Sequence, residues 1–126
     1  FANLSALVGS LRADSRHVHI VCAGTNGEVS MEDVLCAGAI VAALRELGVA
    51  HCSDDQSRIA ERLYRSTTSV PGGVLLAMLE SRGGRNLVQI GLGDDVRDCA
   101  AVDILPIVPE FDVAAGVLRP AGGTAP

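Results

Sequence analysis

Residues 22–38 read Cys-Ala-Gly-Thr-Asn-Gly-Glu-Val-Ser-Met-Glu-Asp-Val-Leu-Cys-Ala-Gly and contain the best-marked junction of the chain. Ala23 to Glu28 is rich in Gly and Asn, which tolerate a positive φ, and this stretch predicts a turn. Ser30 is followed three residues later by Asp33, which is typical of a capping box at the start of a helix.

The helix after this turn is predicted from about Met31 to Leu47, with Gly48 beyond its end as a left-handed stop. Its many Ala and Gly residues permit a close approach to a neighbouring layer. The residues predicted to face inward are Val34, Leu35, Gly38, Ala42 and Leu44.

A strand is predicted before the turn, where Val18, Ile20 and Cys22 alternate with His17, His19 and Val21. Such alternation indicates a strand that is buried mainly on one side or lies near a sheet edge. His17 and His19 have the spacing of a metal-binding pair on a strand, but no third ligand is evident nearby. Outward-facing histidines at the edge are therefore the favoured interpretation.

The rest of the chain predicts short elements that alternate in type. Helices are predicted from Leu4 to Leu11, from Asp54-Asp55 to Leu63, from Val74 to Leu79 with Gly83-Gly84 as its end, and from Asp94-Asp95 to Ala101. Asn86 to Ile90 fits a strand or a helix, and Ile104 to Phe111 predicts a strand that Pro106 and Pro109 keep off the sheet centre. Strands separated by helices predict an α/β layered fold, and the strands are few enough to indicate an incomplete sheet.

The composition narrows the class of protein. A hydrophobic fraction of 48% in 126 residues predicts a folded domain, although Phe1, Tyr64 and Phe111 are its only aromatic residues. The net charge is −5, and the ten basic residues are all Arg and are scattered along the chain, which argues against nucleic-acid binding.

The compartment is predicted from the apolar runs and the cysteines. The longest apolar run, Val34 to Leu44, covers about half of the roughly 20 residues that span a bilayer. The four cysteines lack zinc-type spacing and are typical of reduced thiols in a cytoplasmic protein. The start at Phe1 shows neither a signal peptide nor an initiating Met, so we expect a fragment.

Three carboxylates stand where chemistry is expected, between the end of a strand and the start of a helix. Glu28, Glu32 and Asp33 can together hold a hard cation such as Mg²⁺, and the helix N-terminus offers N–H groups to an anion. The alternative is that Glu32 and Asp33 merely complement the helix dipole.

Gly83-Gly84-Arg85-Asn86 is a second candidate, because consecutive glycines allow a backbone nest and Arg grips an oxyanion with two N–H groups. A helix C-cap followed by a solvated Arg explains the same residues. Asp94, Asp95 and Asp98 have a similar interpretation as a helix cap and an exposed face.

His51-Cys52 followed by Arg58 matches the spacing of cysteine-dependent phosphatases, which need a thiolate of lowered pKa beside the phosphate. Asp54 and Asp55 occupy the intervening loop and would repel a phosphate. The loop also lacks a glycine to turn its amides inward, so this interpretation is disfavoured.

Several motifs point to one family when taken together: Cys22-Ala-Gly-Thr-Asn-Gly-Glu28, Ser30-Met-Glu-Asp-Val-Leu-Cys36-Ala-Gly38, Gly84-Arg-Asn-Leu87, Asp95-Val96 and Cys99-Ala100. They closely resemble the 2-phosphosulfolactate phosphatase family, and the similarity runs from Asn3 to the Val108-Pro109 region. The resemblance implies a three-layer α/β/α fold with a mixed sheet. Residues 1–118 would form the C-terminal half of that domain, and residues 119–126 a disordered tail.

The resemblance also implies an activity, the magnesium-dependent hydrolysis of the phosphate ester of sulfolactate, which serves coenzyme M biosynthesis in some organisms. It favours Glu28, Glu32 and Asp33 as metal ligands. Asn26, Arg85 and Asn86 become the expected contacts to the small phosphorylated, sulfonated acid.

The chain departs from the family in length, because members are about twice as long and carry further motifs in their N-terminal half. We therefore expect little or no activity from this chain alone. A non-catalytic module that completes its sheet with a partner is the rival interpretation, and association into a homo-oligomer stays open.

Overall fold

The computed structural model describes residues 1–51 and 54–121, and within them the chain forms six helices and a small sheet. The helices are α1 (Leu4–Arg12), α2 (Met31–Glu46), α3 (Asp55–Thr68), α4 (Gly73–Glu80), α5 (Arg82–Gln89) and α6 (Gly93–Ala100). The strands β1 (Pro109–Asp112) and β2 (Val117–Pro120) pair antiparallel, with Pro109 opposite Pro120. The predicted α/β class is confirmed.

Helix α2 lies at the centre and is buried on almost every side. Its buried residues are Leu35, Ala37, Gly38, Ala39, Ile40, Val41, Ala42 and Leu44. Ile40 and Leu44 meet Val8 of α1 in one apolar cluster, to which the leucines of α1 add their partly buried side chains. A helix that is apolar all round is typical of a protein interior, so the rest of the chain is arranged around α2.

Helix α3 packs against α2 more closely than side chains would allow. A methyl group on Gly38 would overlap the carbonyl group of Ala60 and would approach the Cβ of Tyr64 to 2.9 Å. Because Gly38 has no side chain, the two helix backbones come into direct contact.

A cluster of charges, the Arg45–Glu61–Arg65 cluster, joins the same two helices. Glu61 of α3 is 6% exposed, and its carboxylate accepts hydrogen bonds from Arg45 of α2 and, at 2.9 Å, from Arg65 Nε. Burial raises the pKa of Glu61, but the hydrogen bonds from Arg65 and Arg45 outweigh burial and hold the pKa below its ordinary 4.5.

Several predicted helix signals are confirmed. Gly48 ends α2 with a φ of 69°, and the Asp54 carboxylate caps α3 by accepting the Ser57 N–H at 2.7 Å. The helix after Asp94-Asp95 is present as α6. The predicted capping box of α2 is wrong, because the Ser30 side chain makes no cap hydrogen bond and the Asp33 carboxylate accepts the N–H of Gly24 instead.

The predicted strands need correction. Residues 17–22 form no strand with any described residue, and the strand predicted from Ile104 is confined to Pro109–Asp112. A mixed sheet was predicted, but the described part of the chain contains only the antiparallel β1–β2 pair. Strand β2 includes Arg119 and Pro120, where the disordered tail was expected to begin, and residues 122–126 lie outside the described residues.

Gly83-Gly84 was predicted to end a helix, and this is also wrong. Helix α4 ends at Glu80, Ser81 caps the next helix, and both glycines lie in the first turn of α5. Asn86 to Gln89 is therefore helical, which decides between the two interpretations of that segment. No helix within residues 1–51 and 54–121 is long and apolar enough to cross a membrane.

Replacing Gly38 with Ala tests the contact between α2 and α3. Alanine normally stabilises a helix interior relative to glycine by about 1 kcal/mol, but here the methyl group would push against the Ala60 carbonyl. We expect Gly38→Ala to lower the free energy of unfolding by about 1–3 kcal/mol in urea denaturation. Gly9→Ala is the control, because a methyl group on Gly9 of α1 meets no atom within 4 Å. Equal stabilisation by both substitutions would refute the contact.

Replacing Glu61 with Gln tests the Arg45–Glu61–Arg65 cluster. A folded-state pKa below 4.5 means that the ionised cluster stabilises the protein above that pH and loses its effect as the pH falls through the folded pKa. We expect Glu61→Gln to destabilise the protein by about 1 kcal/mol at pH 7, since both guanidinium groups are half exposed. The difference should shrink at pH 3, and Glu110→Gln on the exposed face of β1 should show neither effect.

Candidate functional site

The turn before α2 is a tight two-residue hairpin. Asn26 and Gly27 have φ values of 55° and 78°, and Thr25 and Glu28 exchange backbone hydrogen bonds of 3.0 and 3.1 Å across them. Positive φ at both central residues is typical of a type I′ turn, for which Asn-Gly is the favoured pair. The turn predicted from the sequence is therefore confirmed, with Asn26 exposed at its tip.

Asp33 fixes this turn to the first turn of α2. Its Oδ2 accepts the backbone N–H of Gly24 at 2.7 Å. Gly24 itself has a φ of 70°, and a methyl group there would lie 2.5 Å from the carbonyl oxygen of Glu28. The carboxylate of Asp33 thus holds the loop in shape, a role that sequence reasoning did not give it.

Glu32 reaches from the start of α2 to the start of α5. Its Oε1 lies so close to Gly83 that a methyl group there would overlap it. Its Oε2 is buried and has no hydrogen-bond partner among the described residues. A buried carboxylate oxygen without a partner is costly and is a common mark of a functional group.

The electrostatics of Glu32 favour its ionised form. Burial raises the pKa of Glu32, but hydrogen-bonding groups around it outweigh burial and bring the pKa below its ordinary 4.5. These groups include the hydroxyl of Ser30 and the backbone N–H groups of Glu32 and Gly83. Ser30 and Ser81 are themselves 4% and 2% exposed, so the carboxylate lies in a fixed polar pocket.

Glu28 makes a second link between the turn and α5. Its Oε2 lies 2.5 Å from Arg82 Nη1, and the two side chains are 64% and 47% exposed. The two candidate motifs, separated by about fifty residues in the sequence, therefore form one site where the N-termini of α2 and α5 meet. Arg82 was missed by the sequence analysis, although its position directly before two glycines at a helix start was a usable signal.

The other predicted substrate contacts lie on the exposed side of α5. Arg85 donates a hydrogen bond through Nη1 to the backbone oxygen of Glu80, and Asn86 is exposed one residue further on. The structure thus places Arg85 at the junction of α4 and α5 and not in a glycine nest.

The three predicted metal ligands each have a different partner: Arg82 for Glu28, Gly83 for Glu32 and Gly24 for Asp33. No group of three acidic, His or Cys side chains that could hold a metal occurs within residues 1–51 and 54–121. Mg²⁺ commonly takes only one or two carboxylates, with water and substrate phosphate as the other ligands. The unpartnered oxygen of Glu32 fits such a site, so the magnesium assignment stays a prediction.

The remaining candidates lie elsewhere. His17 and His19 are exposed in the segment before the turn, and Asp94, Asp95 and Asp98 are exposed on α6. Cys52 lies outside the described residues, whereas Arg58 is exposed on α3 and Asp54 serves as the cap of that helix.

Comparison with known proteins identifies the family. The sequence model of the 2-phosphosulpholactate phosphatase family matches residues 1–113. The chain therefore belongs to this family, as the resemblance indicated.

Curated relatives agree with this result. A probable 2-phosphosulfolactate phosphatase of Pseudothermotoga lettingae is 37% identical over 111 residues, which are 88% of this chain and 46% of the relative. Proteins of the same description from Thermotoga maritima and Deinococcus radiodurans are 34% and 39% identical, over 94% and 87% of this chain and 49% and 45% of their own lengths. The chain spans about half the length of the curated relatives that it matches.

Replacing Gly83 with Ala tests the contact between Glu32 and α5. The methyl group would displace the Glu32 carboxylate from the donor groups beside it, such as the Gly83 N–H, that lower its pKa. We expect the pKa of Glu32, measured by NMR titration of its side-chain carbon, to rise toward the ordinary 4.5. Gly93→Ala is the control, because the nearest atom to a methyl group there is Val88 Cγ2 at an ordinary 3.6 Å. An unchanged pKa in Gly83→Ala would contradict the contact.

Proposed function

We propose that this chain supplies part of the active site of a phosphatase that hydrolyses the phosphate ester of 2-phosphosulfolactate to sulfolactate and phosphate. Support comes from the family match over residues 1–113 and from the names of the relatives. The proposal places the site where the 25–28 turn meets the start of α5. At this junction, one buried carboxylate oxygen of Glu32 has no hydrogen-bond partner among the described residues.

Magnesium is proposed as the cofactor, with Glu32 as its principal protein ligand and Glu28 as a second. Glu28 is suited to exchange partners because its pair with Arg82 is largely exposed, and exposed pairs are worth at most about 1 kcal/mol. When bound, the ion would polarise the phosphate and stabilise the charge that develops on its oxygens during transfer to water. Asp33, predicted as a third ligand, shapes the loop by accepting the N–H of Gly24 through Oδ2.

The substrate is a small acid with phosphate, sulfonate and carboxylate groups, so a site in a chain of net charge −5 needs local cations. Arg82 lies directly at the site through its contact with Glu28. Its guanidinium would bind an oxyanion with two parallel N–H groups once Glu28 turns away. Asn26 lies at the tip of the turn that carries Glu28, and Arg85 and Asn86 lie on the same helix as Arg82; all three are proposed as further contacts to the anionic groups.

The backbone N–H of Gly83, at the start of α5, is one of the groups that hold the pKa of Glu32 below its ordinary 4.5. Ser81 caps α5 by accepting the Gly84 N–H at 2.9 Å, and it donates its own hydroxyl to the Met78 oxygen at 2.7 Å. This arrangement fixes the helix start against which the carboxylate rests. A carboxylate held ionised in a rigid pocket is prepared to receive a cation without rearrangement.

Activity is best tested in a chimera in which this chain replaces the 111 residues that it matches in the Pseudothermotoga lettingae relative. We expect the chimera to release phosphate from 2-phosphosulfolactate in the presence of Mg²⁺ and to stop when a chelator is added. Glu32→Gln should lower the rate by about tenfold or more, because it removes the ionised oxygen. Glu110→Gln, an exposed change of the same kind on β1, should leave the rate unaltered.

Two results would contradict the proposal. Phosphate release that survives the chelator but stops on thiol alkylation would indicate a cysteine-dependent phosphatase. A chimera that folds, binds neither Mg²⁺ nor phosphate and releases no phosphate would indicate a non-catalytic module.

A further inference from the structure

The turn before α2 presents an Asn-Gly pair to solvent. Asn26 and Gly27 are both exposed at its tip. The backbone N–H of Gly27 donates to no backbone group within residues 1–51 and 54–121, and a methyl group on Gly27 would meet no atom within 4 Å. The peptide bond between the two residues is therefore uncrowded in the described part of the chain.

Asparagine is one of the heat-labile residues of proteins, because the peptide nitrogen of the next residue can attack its side chain. In this step the nitrogen of Gly27 bonds to Cγ of Asn26 and the Cγ–Nδ2 bond breaks. The side-chain amide leaves as ammonia and takes the proton of the Gly27 N–H. Water then opens the succinimide ring at either carbonyl carbon, which leaves aspartate or isoaspartate. Glycine favours the attack, since it has no side chain to shield its nitrogen.

The closed turn opposes this reaction. In a type I′ turn the main chain of the first central residue directs the next nitrogen away from its own side chain, so ring closure requires the turn to open. Thr25 and Glu28 hold the turn closed through their backbone hydrogen bonds of 3.0 and 3.1 Å. The rate of the reaction therefore depends on how often the turn opens.

Asp33 is the clamp that joins this turn to α2. Its Oδ2 accepts the N–H of Gly24 at 2.7 Å, two residues before Asn26. A hydrogen bond to an ionised acceptor is stronger than one between neutral groups. Loss of this bond would release one end of the turn from the helix.

The other two asparagines of the chain, Asn3 and Asn86, have different surroundings. Each is followed by a leucine, whose side chain hinders the approach of the peptide nitrogen. Asn3 Nδ2 also donates to the backbone oxygen of Ile107 at 2.9 Å, and Asn86 lies inside α5, where helical hydrogen bonds hold its backbone. Among the three asparagines, Asn26 alone combines an exposed turn with a following glycine.

We propose that Asn26 is a site of spontaneous deamidation, and that Asp33 sets the rate by keeping the turn closed. Isoaspartate lengthens the main chain by a methylene group, which a two-residue turn cannot accommodate while both hydrogen bonds between Thr25 and Glu28 are kept. A slow chemical change at one exposed residue thus dismantles the turn that precedes α2.

Peptide mass spectrometry of the chain, incubated in a mildly alkaline buffer, tests the proposal. Cleavage after arginine gives the segment from His17 to Arg45, in which Asn26 is the only side-chain amide. We expect this segment to gain the mass that marks conversion of an amide to an acid, with both aspartate and isoaspartate at position 26, before Asn3 or Asn86 changes. The chain unfolded in urea should react at least about tenfold faster at Asn26, because the turn no longer restrains it.

A matched pair of variants tests the role of Asp33. Asp33→Ala should speed the conversion of Asn26 by about tenfold, since a hydrogen bond to an ionised acceptor is lost. Asp95→Ala, which likewise removes an acid from the first turn of a helix, should change the rate by less than about twofold. The comparison in urea tests the same restraint without a substitution, should Asp33→Ala fail to fold.

Three outcomes would overturn the proposal. One is the conversion of Asn3 or Asn86 as fast as that of Asn26 in the folded chain. Another is the absence of both products from the folded chain long after the unfolded chain has been converted. The third is a rate in folded Asp33→Ala equal to that of the unsubstituted chain.

Discussion

The closeness of helix backbones, made possible by glycine, is the constraint on which the rest of this structure depends. With only three aromatic residues, the chain cannot fill wide gaps between helices with large side chains. Gly38 instead brings α2 against the Ala60 carbonyl, and Gly73 and Gly84 lie in the same way against the carbonyl groups of Thr67 and Met78. Three successive helix–helix contacts therefore share one feature: a glycine of one helix lies against a backbone carbonyl group of the neighbouring helix.

The candidate site follows from these contacts. Gly84 sets α5 against the end of α4, and in this placement the Glu32 side chain of α2 reaches the first turn of α5. Glu32 then meets Gly83, and Glu28 meets Arg82. A site built from the starts of two helices has the positive ends of both helix dipoles nearby, which favours negatively charged groups.

Local signals in the sequence predicted local structure well. Asn26-Gly27, Gly48 and Asp54 each act within a few residues of their own position, and each has the predicted role. Gly83-Gly84 was assigned the wrong role because a glycine that ends a helix and a glycine that admits a neighbouring carbonyl look alike in a sequence. The segment 17–22 shows the other limit, since alternation predicts an extended strand but does not specify the partner that a ladder requires. The meeting of Glu32 with Gly83 depends on the path through α3 and α4, which no motif records.

The cations of the Arg45–Glu61–Arg65 cluster are both arginines, and this determines how the cluster responds to pH. A guanidinium group keeps its charge at every pH at which proteins fold, whereas an amine would begin to lose its proton above about pH 10. The attraction between α2 and α3 therefore has no alkaline limit of its own. Only acid can neutralise it, through Glu61, which both guanidinium groups share, and through Glu46, which pairs with Arg65.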